Sequence, residues 1–181
     1  MNGRIVGAGV LAGLVVFVWG AISHMVLPLG EMGVSPLPAA EAVQPVLNSS
    51  VPQGGLYYFP WEEDPAKQEE AMRANARGIL VLTPTTQPFS FPRLLAVEGA
   101  TNIAGGILAA FLFAAAGLAG ASIGSKLAFG ATLGGFASLA IDFSYWNWYG
   151  FPTNYLAAQL ADAIIAWSLA SLVIGLVLRK R

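Results

Sequence analysis

Four ionisable side chains lie inside long apolar stretches of this sequence, and they are its main candidates for chemistry: His24, Glu98, Asp142 and Asp162. Ionisable groups inside membrane-crossing helices are costly and commonly mark ion paths, proton relays or ligand sites. Asn102 lies four residues after Glu98, and Gln159 lies three residues before Asp162. Residues at these spacings share a helix face. The predicted intramembrane polar cluster therefore comprises His24, Glu98, Asn102, Asp142, Gln159 and Asp162.

Three interpretations of this cluster stay open. The carboxylates can be structural groups that hydrogen-bond neighbouring helices, or they can form a cation or proton path. They can also hold a metal with His24, because one imidazole with oxygen ligands suits Mn, Fe or Zn. No two of the metal-ligating residues share a helix at i, i+3 or i, i+4 spacing, which weakens the metal hypothesis. Haem would require Met25 or a second chain's His24 as the other axial ligand.

Catalytic signatures are missing from the sequence. It contains no nucleophile elbow, zinc-protease motif, Walker loop or dinucleotide fingerprint. We therefore predict no catalytic residues and no cofactor, and the chain is expected to be non-enzymatic.

An aromatic segment at residues 142–154 is the second candidate site. Its large polar aromatic residues form a predicted recognition rim: Tyr145, Trp146, Trp148 and Tyr149. Such a rim could recognise lipid head groups, a partner subunit or a cation bound on the ring faces. The alternative is an interfacial anchor, because Tyr and Trp concentrate where a membrane meets water.

Four apolar spans must position these residues. The chain has 181 residues, of which 56% are hydrophobic and only 10% charged, with a mean hydropathy of +0.64. A soluble domain carries about a quarter of its residues as charges. A helix needs roughly 20 apolar residues to cross the hydrocarbon core, and four stretches qualify. They are residues 5–27, 94–118, 127–146 and 155–178.

The distribution of basic residues predicts the orientation of these spans. Arg4, Lys126 and the three basic residues 179–181 fall at one end of a four-span threading, with Lys126 in the link between spans two and three. The positive-inside rule then places both termini in the cytoplasm. The first span exceeds the ~7–15 apolar residues of a signal peptide, so we predict an uncleaved anchor. The predicted location is the inner (plasma) membrane, with multiple passes.

Residues 28–93 are predicted to form a small extracytoplasmic α/β domain. A helix is expected over 38–48, broken or kinked near Pro45, and a strand over 55–59. Asp64 and Pro65 open a second helix that runs to about Arg77 and is closed by Gly78, and a second strand covers 79–82. Strand, helix and strand predict a parallel pair with a right-handed crossover.

Glycine pairs spaced four apart permit close contacts between helices. These pairs are Gly3/Gly7, Gly9/Gly13, Gly120/Gly124 and Gly130/Gly134. The sequence leaves open whether they serve packing within the chain or dimerisation.

The expected fold is an all-α membrane protein, a four-transmembrane-helix bundle with the α/β insertion between helices 1 and 2. The domain boundaries are 1–27, 28–93 and 94–181. A net charge of -1 without a basic face excludes nucleic acid as a partner, which leaves the lipid bilayer, further copies or a membrane complex. The expected function is a non-enzymatic accessory or assembly subunit, or a homo-oligomeric membrane protein. The alternatives are a small cation- or proton-coupled transporter or channel, and a membrane enzyme with an outer-leaflet metal site.

Overall fold

The computed structural model describes residues 3–179 and is mostly helical. Its helices are α1 (Gly3–Met25), α2 (Ala40–Ser50), α3 (Pro65–Ala74), α4 (Phe91–Ala115), α5 (Ile123–Tyr149) and α6 (Thr153–Leu178). Two strands, β1 (Gly55–Phe59) and β2 (Gly78–Leu82), and two short 3-10 turns complete the secondary structure. Helices α1, α4, α5 and α6 are long and apolar enough to cross a membrane, as is typical of a multi-pass membrane protein.

The four long helices form a bundle in which α1 and α6 are central. Helix α1 packs along both α4 and α6, and α5 packs along α6. The guanidinium of Arg4, near the start of α1, donates to the carbonyl oxygen of Val177, near the end of α6, so these helices run antiparallel. The edge helices α4 and α5 touch where the rings of Phe113 and Phe129 meet edge to face, with centroids 5.5 Å apart. Both edge helices therefore keep long faces that no other helix covers.

Close approach of α1 and α4 depends on glycine. A methyl group added at Gly9 would overlap the backbone of Ile107, and one at Gly13 would overlap the backbone of Ile103. Two helix backbones can approach this closely only where a side chain is missing. The Gly9/Gly13 pair therefore serves packing within the chain.

The same device joins α5 to α6. A methyl group at Gly130 would overlap the carbonyl oxygen of Trp167, and one at Gly134 would overlap that of Ala163. The other two glycine pairs lie in open space or touch only a nearby serine: Gly3, Gly7, Gly120 and Gly124. Identical sequence spacing thus has different structural roles along this chain.

The main buried cluster lies in the half of the bundle where α1 begins and α6 ends. It is built from small residues around two large side chains, Phe113 and Ile174, which are fully buried. The cluster comprises Ala8, Ala12, Ala109, Ala110, Phe113, Ala170, Ile174 and Leu178. Alanine at the contact faces lets the helices approach, and the two larger side chains fill the remaining space.

The strand pair in residues 28–90 is antiparallel, so the predicted parallel crossover is wrong. Gly55 pairs with Leu82 and Phe59 with Gly78, which means that the chain leaves and re-enters the sheet at the same end. A crossover helix must cover one face of a parallel pair with apolar residues. Helix α3 is short and rich in charged residues, and none of its side chains is buried. It lacks the apolar face that a crossover would need.

The local signals in this region are mostly correct. Strand β1 has the predicted bounds, and Asp64 caps α3 by accepting a hydrogen bond from the Ala66 amide at 3.0 Å. Helix α3 ends at Ala74 rather than near Arg77, and Asn75 caps that end through its side-chain amide, which donates to the Ala71 carbonyl. Helix α2 starts two residues later than predicted and continues to Ser50 with Pro45 inside it.

Candidate functional site

The predicted polar cluster is distributed over α1, α4, α5 and α6. On α4, the amide of Asn102 donates to Glu98 Oε1 at 3.0 Å, so these two residues share a helix face as predicted. Glu98 is exposed and Asn102 is half-buried. This pair is internal to α4 and connects it to no other helix.

Asp142 forms a second local pair on α5. The hydroxyl of Ser138 donates to Asp142 Oδ2 at 2.7 Å, and Ser138 is 1% exposed. Asp142 also interacts electrostatically with Tyr155 on α6. Gln159, one turn further along α6, is half-buried. The α5–α6 interface thus contains a polar strip in the half of the bundle nearest the strands.

Asp162 links two helices. Its Oδ1 accepts a hydrogen bond from the indole nitrogen of Trp19 on α1 at 2.8 Å. An intramembrane carboxylate therefore has a neutral donor from a neighbouring helix, which stabilises it without a counter-ion. The sequence reasoning missed Trp19, although a lone tryptophan inside the first span was a usable signal, because buried indole N–H groups usually find an acceptor.

His24 lies at the end of α1 rather than inside the bundle. Its Nδ1 is 2.8 Å from the Ser23 hydroxyl and 3.1 Å from the Gly20 carbonyl oxygen. The loop after α1 folds back over the ring, since a methyl group at Gly30 would lie 2.6 Å from its Cδ2. The imidazole is therefore held by its own helix end.

This arrangement bears on the three interpretations of the cluster. Within residues 3–179, no three His, Cys, Asp or Glu side chains come close enough together to hold a metal ion, so the metal hypothesis gains no support here. Glu98, Asp142 and Asp162 each have a neutral hydrogen-bond donor of their own. Only the Asp162 bond joins two helices, and both the structural interpretation and the cation or proton path stay predictions.

The aromatic rim lies on a helix, not in a loop. The end of α5 extends to Tyr149 and includes all four rim residues, and Gly150 ends the helix with a positive φ of 73°. Trp146 then donates to the Thr153 hydroxyl at 3.2 Å across the tight turn to α6. Trp148 is 72% exposed. A left-handed residue at this position favours glycine, which has no Cβ to clash.

Ring contacts connect the rim to the strand pair. Tyr58 of β1 meets Tyr149 with centroids 6.4 Å apart, and Tyr149 meets Tyr145 at 5.9 Å. Phe151 continues the row between Tyr145 and Tyr155, at 5.3 and 5.2 Å. These contacts rest the small sheet against the α5–α6 turn, and both interpretations of the rim stay predictions.

Lys126 occupies a position that the sequence reasoning did not anticipate. It lies inside α5 instead of the preceding link, and it is only 4% exposed. The Ser171 hydroxyl of α6 donates to its backbone carbonyl at 2.6 Å. Hydropathy favours placing a lysine outside a span, but its long aliphatic stem can pack among apolar residues while the ammonium reaches the helix end.

An open groove of about 870 Å³ runs along the start of α4. Segment 83–90 forms one wall, and Arg93, Val97 and Glu98 contribute to the other. Phe89 in this segment is 81% exposed. The groove therefore combines apolar surface with one basic and one acidic side chain.

Comparisons with protein-family models, with curated proteins and with solved structures return no match for this chain. A functional assignment therefore depends on the contacts, burial and charges of its own residues. Two charged groups have positions that the rest of the chain does not explain: the exposed carboxylate of Glu98 on α4 and the buried side chain of Lys126 on α5.

Proposed function

We propose that this chain is a non-enzymatic membrane subunit that assembles with a different membrane protein through the outer half of α4. The exposed carboxylate of Glu98 carries the proposal, since it lies on a membrane-crossing helix and its hydrogen bond comes from Asn102 of the same helix. A charge that faces lipid is costly. A partner helix that covers it and donates a hydrogen bond would remove that cost.

The surroundings of Glu98 support a protein partner. Leu94 and Val97 on the same part of α4 are 56% and 55% exposed, and the groove along segment 83–90 lies directly beside them. Helix α4 is an edge helix that packs mainly along α1. A partner helix could therefore dock along this face without displacing any helix of the bundle.

The charge of Glu98 defines the chemistry expected of the partner. At its depth the partner should carry a Lys, Arg or His, or an Asn or Gln amide. A second copy docked through the same face of α4 in the same orientation fits less well, because its own Glu98 would lie at the same depth. Two carboxylates facing each other in a low-dielectric medium repel.

We also infer that the bundle is inserted with its basic end in the cytoplasm and with residues 28–90 outside, in the plasma membrane. The chain contains no cysteine, so single cysteines report position cleanly. A cysteine at Asn48 is expected to react with a membrane-impermeant maleimide in intact cells, whereas one added after Arg181 should react only after permeabilisation. The opposite labelling pattern would refute the orientation.

Partner binding is predicted to depend on Glu98. A photo-reactive amino acid at Thr101, an exposed position three residues away on α4, should cross-link the full-length chain to one membrane protein. Glu98→Gln should reduce that product about fivefold or more, because a hydrogen bond to a charged group contributes about 1.5–3 kcal/mol, whereas a neutral one between membrane helices averages about 0.6 kcal/mol. The yield of cross-linked product is measured by quantitative mass spectrometry.

Asp142→Asn is the matched control for this experiment. It removes the same charge from a carboxylate that is hydrogen-bonded inside α5, so it should leave the cross-link unchanged. The proposal is supported if the cross-linked peptide lies in an apolar span of another protein and that span carries a basic or amide residue at the depth of Glu98. A cross-linked dimer of this chain, equal loss in both variants, or no product at all would contradict the proposal.

A further inference from the structure

Lys126 is a cationic residue with a buried stem, in the half of the bundle opposite Glu98. The residue is 4% exposed, and its ammonium makes no hydrogen bond or ion pair with any other residue in the range 3–179. Over the same range, no fully buried side-chain nitrogen or oxygen lacks a hydrogen bond. The tip of the lysine is therefore open to the surroundings, while its stem is enclosed.

The contacts of the stem give the direction of the side chain. The Lys126 carbonyl is fixed by the Ser171 hydroxyl, but its Cδ and Cε lie beside Gly175, one turn further towards the end of α6. A methyl group at Gly175 would be 2.5 Å from that Cδ and 3.1 Å from the ring of Phe113. The lysine stem thus lies in a gap between α4, α5 and α6, and the side chain points to the end of the bundle where α6 ends.

No carboxylate side chain of this half of the bundle can neutralise the charge. Segments 3–12, 108–131 and 168–179 form this half, and none of them contains an Asp or a Glu. Arg4 adds a second cation there, whose guanidinium donates to the carbonyl oxygens of Val177 and Arg179. The ammonium is open at this end of the bundle and no carboxylate of these segments pairs with it, so an anion that reaches it from outside can form a charge-assisted hydrogen bond with it.

We propose that Lys126 binds the phosphate of an anionic lipid head group at this end of the bundle. Lys126 lies in the first turn of α5, roughly 5 Å from the start of that helix at 1.5 Å per residue, which is the level at which head groups meet a spanning helix. Basic pockets between membrane helices accept anionic head groups in this way. The proposal concerns a different surface from α4 and does not depend on the proposed function.

The test uses the purified full-length chain in detergent, titrated with phosphatidylglycerol and separately with phosphatidylcholine, with bound lipid counted by native mass spectrometry. The unaltered chain should bind phosphatidylglycerol at least tenfold more tightly than phosphatidylcholine. Lys126→Met keeps most of the stem and removes the charge, so it should abolish that preference. Arg179→Gln removes an exposed cation at the same end and should keep most of it.

A second variant covers the case in which Lys126→Met fails to fold. Gly175→Ala leaves every charge in place but pushes against the lysine stem, and it should weaken phosphatidylglycerol binding several-fold. Gly124→Ala, which meets only the Ser122 hydroxyl at 3.8 Å, should not. Unchanged lipid preference in both Lys126→Met and Gly175→Ala would overturn the proposal. The melting temperature of the chain is measured with phosphatidylglycerol and with inorganic phosphate at the same concentration. An equal rise with inorganic phosphate would overturn the assignment to a lipid.

Discussion

Gly134→Ala is expected to lower the free energy of unfolding by about 3 kcal/mol, at the upper end of the usual cost of overpacking a tight interface. The added methyl group would overlap the Ala163 carbonyl and lie 2.8 Å from the backbone nitrogen of Ile164. Backbone atoms cannot rotate away as a side chain can, so α5 and α6 would have to separate. Denaturation of the purified chain, followed by tryptophan fluorescence, measures the change.

The neighbouring glycine provides the control. Gly135 belongs to the same helix, but a methyl group there meets no atom within 4 Å. Gly135→Ala should therefore leave stability unchanged or raise it slightly, because alanine has the higher helix propensity. Equal destabilisation in the two variants would contradict the prediction, because it would show that the loss does not come from contact with α6.

Trp19→Phe is expected to have the second largest effect, a loss of about 2 kcal/mol. The indole nitrogen is the hydrogen-bond donor to Asp162 Oδ1, at 2.8 Å. Phenylalanine keeps most of the ring packing but leaves a half-buried carboxylate without that bond. Hydrogen bonds to charged groups contribute about 1.5–3 kcal/mol, whereas neutral hydrogen bonds between membrane helices average about 0.6 kcal/mol.

Two further variants separate the hydrogen bond from packing. Asp162→Asn retains a carbonyl oxygen that can accept from Trp19, so it should cost less than Trp19→Phe. The double variant Trp19→Phe with Asp162→Leu removes both partners and should recover much of the loss, since no polar atom is left unsatisfied. Strictly additive losses in the double variant would show that the two side chains do not interact.

Local sequence signals predicted the elements of this fold well. Each of the four spans is found as a helix, because an apolar stretch of that length satisfies its backbone hydrogen bonds in lipid only as a helix or within a closed barrel. Strand β1 and the Asp64 cap follow from residues adjacent in sequence. The direction of strand pairing does not follow from adjacent residues, because it depends on the path of the eighteen residues between Phe59 and Gly78.

The candidate sites show the same limit. Sequence position gives the depth of a carboxylate along its helix but not which neighbour it faces, so Glu98 and Asn102 were paired correctly while Trp19 was not paired with Asp162. A count of hydrophobic residues includes tryptophan and therefore conceals its donor. The predicted position of Lys126 was wrong for a related reason, since a charge count ignores the gap that Gly175 leaves for the lysine stem.

By itself, the sequence determined that the chain has four helices long and apolar enough to cross a membrane, roughly where they lie, and that five of the nine basic residues fall at one end of them, because length, apolarity and charge are properties of single segments. Only the tertiary structure decided which glycine pairs form interfaces, which donor meets each carboxylate and which lysine is buried. These outcomes depend on how each helix is rotated about its axis and which helices it packs against. That choice is made jointly by residues far apart in the chain.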